Sequence, residues 1–229
     1  MNTYVWCEDS GSGCKFWYEI FKTLHPNIIV QTKKNNSRLR KDACAITNDG
    51  NTYYILIDTF TDNADVLRET DRLKKGISEK ENVHIVGIRS FEVTLLSFTL
   101  LDRWVFAEDD WLKDKRRELL EAREIFVKLE THGGTASELE RLKELFPYRE
   151  THNSERTAAE LLYQITRNTG FETYKGELGE CFIEDCCKRT SRQADDLCGL
   201  DNARLTADEK KKQLVNCSLL KDAFEKVGL

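Results

Sequence analysis

Tyr53-Tyr54-Ile55-Leu56-Ile57 is a continuous run of aromatic and aliphatic residues that ends on Asp58. A run of this length and composition, preceded by the turn signal Asn48-Asp49-Gly50-Asn51, reads as a buried β-strand. Beyond it, residues 63–75 have the spacing of a charged helix anchored by Val66, Leu67 and Leu73. Val83 to Ile88 is then the next strand, and residues 91–101 read as one strongly apolar helix. Before it, residues 3–7 form a first strand. Residues 13–24 place Phe16, Trp17, Ile20, Phe21 and Leu24 at helical spacing, and Pro26 marks the end. Residues 27–31 are a second strand, and the polar segment 35–48 carries a helix with Leu39, Cys44 and Ile46 inward. Strands alternating with amphipathic helices predict an α/β fold with a mostly parallel, Rossmann-like four-stranded sheet.

The strand signal stops near Asp102, which predicts two parts: an α/β domain over 1–102 and a helical C-terminal region over 103–229. In the second part Trp111, Leu112, Leu119, Leu120, Ile125, Phe126 and Leu129 recur at helical spacing until His132-Gly133-Gly134. Thr135 with Glu138, and Thr206 with Glu209, have capping-box spacing. Helices are expected over 154–167 and 208–227. The segment holding Cys181, Cys186, Cys187 and Cys198 takes no assignment.

Of 229 residues, 40% are hydrophobic and 10% aromatic, enough apolar surface to offset the ordering entropy of folding. The 35 basic and 40 acidic residues leave a net charge of −5, so the chain as a whole is not a polyanion binder and any nucleic-acid contact must come from a local patch. Residues 1–9 lack a basic stretch followed by an apolar one, and residues 93–101 are too short to span a bilayer. The expectation is a cytoplasmic protein without membrane contact, its cysteines present as thiols.

In an open α/β sheet the ligand lies beyond the carboxyl ends of the strands. Here those ends are charged: Glu8-Asp9, Lys33-Lys34, Asp58 with Asp62, and Arg89 with Glu92. Acids converging from separate strands suit Mg²⁺ or Mn²⁺, which take oxygen ligands. The candidate metal ligands are Glu8, Asp58, Asp62 and Glu92. Lys33, Lys34, Arg38 and Arg89 are the candidates for holding a phosphate backbone, with Arg40 and Lys41 on the same rim.

Tyr4-Val5-Trp6-Cys7-Glu8, a Gly/Ser loop running into a helix, and Tyr54-Ile55-Leu56-Ile57-Asp58 ending a later strand together resemble the Toprim domain of topoisomerases, primases and overcoming-lysogenization-defect nucleases. Ser90-Phe91-Glu92 is similar to an element of the small Toprim-like proteins of bacterial anti-phage systems. The resemblance covers about residues 3–101. It implies phosphodiester cleavage, with Glu8 as acid/base, Mg²⁺ held by the acids after the third strand, catalysis centred on Glu8 and Asp58, and often an ATPase partner. The Asp-x-Asp of that family is here Asp58-Thr59-Phe60, so the second acid would be Asp62.

Structural readings of the same residues stand beside these. Glu8 and Asp9 could cap the helix that follows, Asp62-Asn63 could cap the next, Glu92 could pair with Arg89, and the 33–41 run could be a solvated face. Asp9-Ser10-Gly11-Ser12-Gly13-Cys14-Lys15 is not a Walker A motif, although its backbone could contact an oxyanion. Cys181, Cys186, Cys187 and Cys198 could bind zinc as thiolates, but they lack a Cys-x-x-Cys pair and read better as buried thiols. Two functions are therefore expected in competition. One is a metal-dependent nuclease whose helical half serves substrate capture or assembly with a second copy. The other is a non-catalytic module that docks on an ATPase or senses a phage component.

Overall fold

The computed structural model describes residues 1–106, 110–186, 198–200 and 203–229. In chain order the elements are β1 (Thr3–Cys7), α1 (Ser12–Leu24), β2 (Ile28–Thr32), α2 (Asn36–Ala45), β3 (Thr52–Asp58), α3 (Ala64–Ile77) and β4 (Val83–Ile88). Helices follow: α4 (Phe91–Ser97), α5 (Leu101–Val105), α6 (Asp110–Lys115), α7 (Arg117–His132), α8 (Ala136–Leu145), α9 (Ser154–Thr166), α10 (Ala207–Asn216) and α11 (Leu220–Glu225). They form two compact units. The first comprises Met1–Phe91 with Leu220–Leu229, and the second Glu92–Leu219, so the division falls after Phe91 and not near Asp102.

In the first unit the four strands are all parallel, in the order β2-β1-β3-β4. The chain steps from β1 outward to β2, then crosses back over β1 to β3 and continues to β4. With right-handed crossovers, that reversal puts α1 on one face and α2 and α3 on the other. The core agrees: Trp6, Tyr53, Ile55, Ile57 and Val83 pack with Leu39, Ala43 and Ile46 from the α2 segment and Leu73 and Ile77 of α3. Their strand neighbours Val5, Cys7, Leu56, Val86 and Ile88 are also buried, and period-two alternation turns them to the opposite face. The α1 stripe Phe16, Trp17, Ile20 and Phe21 is fully buried, and Phe21 meets Phe224 of α11 with ring centroids 5.2 Å apart. A C-terminal helix, not anticipated as part of this layer, thereby completes it.

Three sequence expectations need correction. Leu67 is 40% exposed, and α3 is anchored instead by Val66, Thr70, Leu73 and Ile77, because residue 67 falls a quarter-turn off that stripe. The expected helix over 91–101 is two helices, α4 and α5, with fully buried Phe98 between them. The one over 208–227 likewise breaks between Asn216 and Leu220, where Thr99 N–H donates to the Cys217 carbonyl at 2.8 Å.

The second unit is helical among its described residues. Both capping boxes form, at Thr135/Glu138 and Thr206/Glu209. Gly133 ends α7 with φ 73°, a left-handed geometry that glycine adopts without cost. Trp111 is 65% exposed and lies under the Lys115 ammonium, 3.6 Å from the ring centroid, instead of joining the core. Buried Arg116 separates α6 from α7, and its guanidinium donates to the Ile165 and Arg167 carbonyls at the end of α9.

Candidate functional site

Strand order 2-1-3-4 puts the topological switch between β1 and β3, where connections leave in opposite directions and a crevice opens beyond the strand ends. The register pairs Cys7 with Leu56, so Glu8 follows β1 and Asp58 closes β3 on neighbouring strands, which run with the usual spacing of about 4.8 Å. Both acids are half-buried. The fold thus sets both acids at the ends of adjacent strands, the position of Glu8 opposite Ile57 and Asp58 one residue further along.

Asp9 has a different task. Its carboxylate accepts a hydrogen bond from the Trp17 indole N–H at 2.8 Å, and its carbonyl accepts from the Thr32 hydroxyl, tying the end of β1 to α1 and β2. The carboxylate lies directly against Gly13, where a Cβ would stand 2.5 Å from Oδ1. The N-cap of α1 is Gly11 at φ 64° with no side-chain cap bond, and the Asp9 carboxylate is engaged by the Trp17 side chain further along the helix. Burial pushes the Asp9 carboxyl above the usual range, against the opposing effect of the Trp17 hydrogen bond. Burial, with Cys14 and Asp9 adding to it, also pushes the neighbouring Cys7 thiol up, which keeps it protonated.

At the β3 end, Thr59 donates its hydroxyl to the Ile88 carbonyl at 2.7 Å, and Arg89 donates to the Thr59 carbonyl. Phe60, in the position of the second acid of Asp-x-Asp, is fully buried. Asp62 lies beyond it and is exposed, while Asn63, not Asp62, caps α3 by accepting from the Asp65 and Val66 amides. Glu92 is buried, 7% exposed, in the first turn of α4 and belongs to the second unit. Among the described residues, no three His, Cys, Asp or Glu side chains stand together as a metal-holding group. The four acids read from the sequence thus do not form a closed protein cage. Mg²⁺ commonly uses only one or two carboxylates and completes its shell with water and substrate phosphate.

The basic rim divides into structural and exposed members. Lys33 packs 3.5 Å from the Trp6 ring centroid and pairs with Asp42 at 3.4 Å. Arg40 pairs with Glu69 at 2.7 Å, joining α2 to α3, and this hydrogen-bonded guanidinium holds the Glu69 carboxyl below its usual range. Lys34 and Arg38 are exposed, Lys34 in the left-handed region at φ 70° and Arg38 3.8 Å from Asp42. Arg89, directly after β4, is half-buried, its guanidinium donating to the loop that follows β3. The Arg38–Asp42 pair has the i,i+4 spacing of one helix, whereas the pairs of Lys33 and Arg40 cross between segments and have no local signature.

In the second unit Cys186 accepts the Leu205 amide at 3.2 Å, and Cys181, Cys186 and Cys198 form no metal-holding group among the described residues. Cys187 lies outside the described residues. A pocket of about 400 Å³ beside α9, which the sequence did not announce, is lined by Tyr148, Arg156, Glu160, Tyr163, Tyr174 and Lys175. No described helix is long and apolar enough to cross a membrane. Comparison with protein-family models, with curated proteins and with solved structures found no match to this chain.

Proposed function

We propose that the first unit is a Toprim-like module acting on nucleic-acid phosphodiesters, with Glu8 and Asp58 as its working carboxylates. The observation that carries this reading is that the two acids follow adjacent parallel strands, on either side of the switch point where such sheets take their ligands. A bound Mg²⁺ or Mn²⁺ supplies positive charge at the scissile phosphate. Asp58 and Glu8 would be the residues to hold it, and Glu8 would move a proton at the attacking or leaving oxygen. Exposed Lys34 and Arg38 hold the phosphate backbone, which the chain needs because its net charge of −5 gives no general attraction for nucleic acid. A role in anti-phage defence, with an ATPase as partner, belongs to the same resemblance.

A second reading, a binding or regulatory module without cleavage, is favoured by buried Phe60 in the place of an acid and by the lack of a three-ligand group among the described residues. The two readings separate in one experiment. Plasmid, single-stranded DNA and RNA are incubated with wild type, Glu8→Ala and Asp58→Ala, with and without Mg²⁺ or Mn²⁺, while melting temperature is followed in parallel. The nuclease reading expects cleavage that needs the metal and falls at least about 100-fold in both variants. It also expects metal at a hundred times its Kd to stabilise wild type by about 2.7 kcal/mol, a response lost in Asp58→Ala. Cleavage retained in both folded variants removes the assignment; no cleavage and no metal-induced shift leaves the binding module.

A further inference from the structure

The pocket beside α9 combines aromatic faces, an uncommitted cation and a hydrogen-bond acceptor. Its volume of about 400 Å³ falls within the range of roughly 300–1,000 Å³ typical of small-molecule sites. Arg156, Glu160 and Tyr163 follow one another at i, i+4 and i+7 on α9, so they share one face of that helix. Ala159, 4% exposed on the same face, is small enough to leave room above the helix.

The rings are held in place before any ligand arrives. Tyr163 and Tyr174 stack with centroids 4.7 Å apart at 28°, and Tyr148 stacks on His152 at 3.8 Å and 5°. Tyr174 is fixed from below by reciprocal backbone hydrogen bonds with Glu177, at 2.9 and 3.0 Å, and its hydroxyl donates to Glu172. That carboxylate pushes the Tyr174 phenol up to about 12, so the ring stays neutral near pH 7. Even so pinned, Tyr174 leaves 44% of its surface exposed.

The charges select the ligand. The Arg156 side chain is exposed and has no ion-pair partner among the described residues. Lys175 is shared with Glu155 at 2.9 Å but remains 55% exposed. Glu160 accepts the Gln164 amide at 2.7 Å through one oxygen, Oε1. With Lys175 tied to Glu155 and Glu172 engaged by Tyr174, Arg156 is, among the described residues, the uncommitted cation of the wall, and beside the tyrosine faces it favours a ligand that joins an anionic group to a flat ring.

We infer that this pocket binds a nucleotide, with the base stacked on the Tyr163–Tyr174 pair, an exocyclic amine donating to Glu160 and the phosphate on Arg156. The site lies wholly in the second unit and is independent of the carboxylates after β1 and β3. Calorimetric titration of the full chain with AMP, CMP, adenosine and inorganic phosphate tests it without any cleavage step. AMP and CMP should bind, with adenosine and inorganic phosphate each weaker by about tenfold or more, because each keeps one half of the recognition. Arg156→Ala should bring AMP down to the affinity of adenosine, and Tyr174→Ala should weaken both by about tenfold, with circular dichroism melts of the variants matching wild type. Absence of AMP binding overturns the inference, as does AMP binding that neither variant alters, or binding of tetramethylammonium in its place.

Discussion

The ends of β1 and β3 lie side by side and carry similar acids in the sequence, yet they are built differently. After β1, one acid is structural: Asp9 is clamped by Trp17 and Gly13, while Glu8, just before it, is half-buried. After β3, the order is inverted, with Asp58 first, a fully buried apolar anchor at Phe60 two residues on, and Asp62 exposed. The lesson is that each strand end carries one half-buried acid and uses a nearby side chain, Asp9 or Phe60, to hold its loop. An acidic pair in sequence is not an acidic pair in space.

Replacing the anchor should break this comparison most severely. Phe60→Asp restores the acid spacing of Asp-x-Asp but buries a charge where a fully buried ring stood, and should cost at least about 3 kcal/mol in chemical denaturation. A stable Phe60→Asp variant with new metal binding would show that the loop can be recast as a two-acid site. At the other end, Trp17→Phe keeps most of the ring but removes the donor to Asp9, and should cost about 1–3 kcal/mol by the same measurement.

The rim gives a smaller contrast. Arg40→Ala removes the α2–α3 ion pair, both of whose side chains are mostly buried, and should lower stability by about 1 kcal/mol. Exposed Lys34→Ala should leave the melting temperature unchanged and, on the proposed function, reduce the salt slope of nucleic-acid binding by about one. The smallest effect concerns pH. Because the folded Asp9 carboxyl is raised above its unfolded value, ionising it in the native state opposes folding near neutral pH. That penalty is relieved as pH falls through the raised folded value, since the native state takes up the proton first. Asp9→Asn should therefore be the more stable protein at pH 7, its advantage shrinking as pH falls into the carboxylate range; a constant difference across pH would contradict the sign.

Much of the sheet was legible because its signals are local. Residues 53–57 could only be a buried strand, and Thr3–Cys7 and Val83–Ile88 match their expected limits. Both capping boxes were readable because each is closed within four residues. The positions of Glu8 and Asp58 just past strand ends followed from the same reading. What was not legible depends on partners far along the chain. The breaks between α4 and α5 and between α10 and α11 interrupt continuous apolar patterns, and at both the backbone is engaged elsewhere: Thr99 meets Cys217 across more than a hundred residues. The return of Leu220–Leu229 to the first unit has no local signature either.

The sequence by itself determined the parallel α/β layer, its charged strand ends and the helical character of the remainder, because hydrophobic periodicity and capping act over a few residues. Only the tertiary structure decided that Asp9 is bonded into the fold, which cations are tied into ion pairs, and that Tyr148, Arg156, Tyr163 and Tyr174 line one pocket. The physical reason is that a side chain's role is set by what packs against it, and those neighbours come from elements that the chain brings together only on folding.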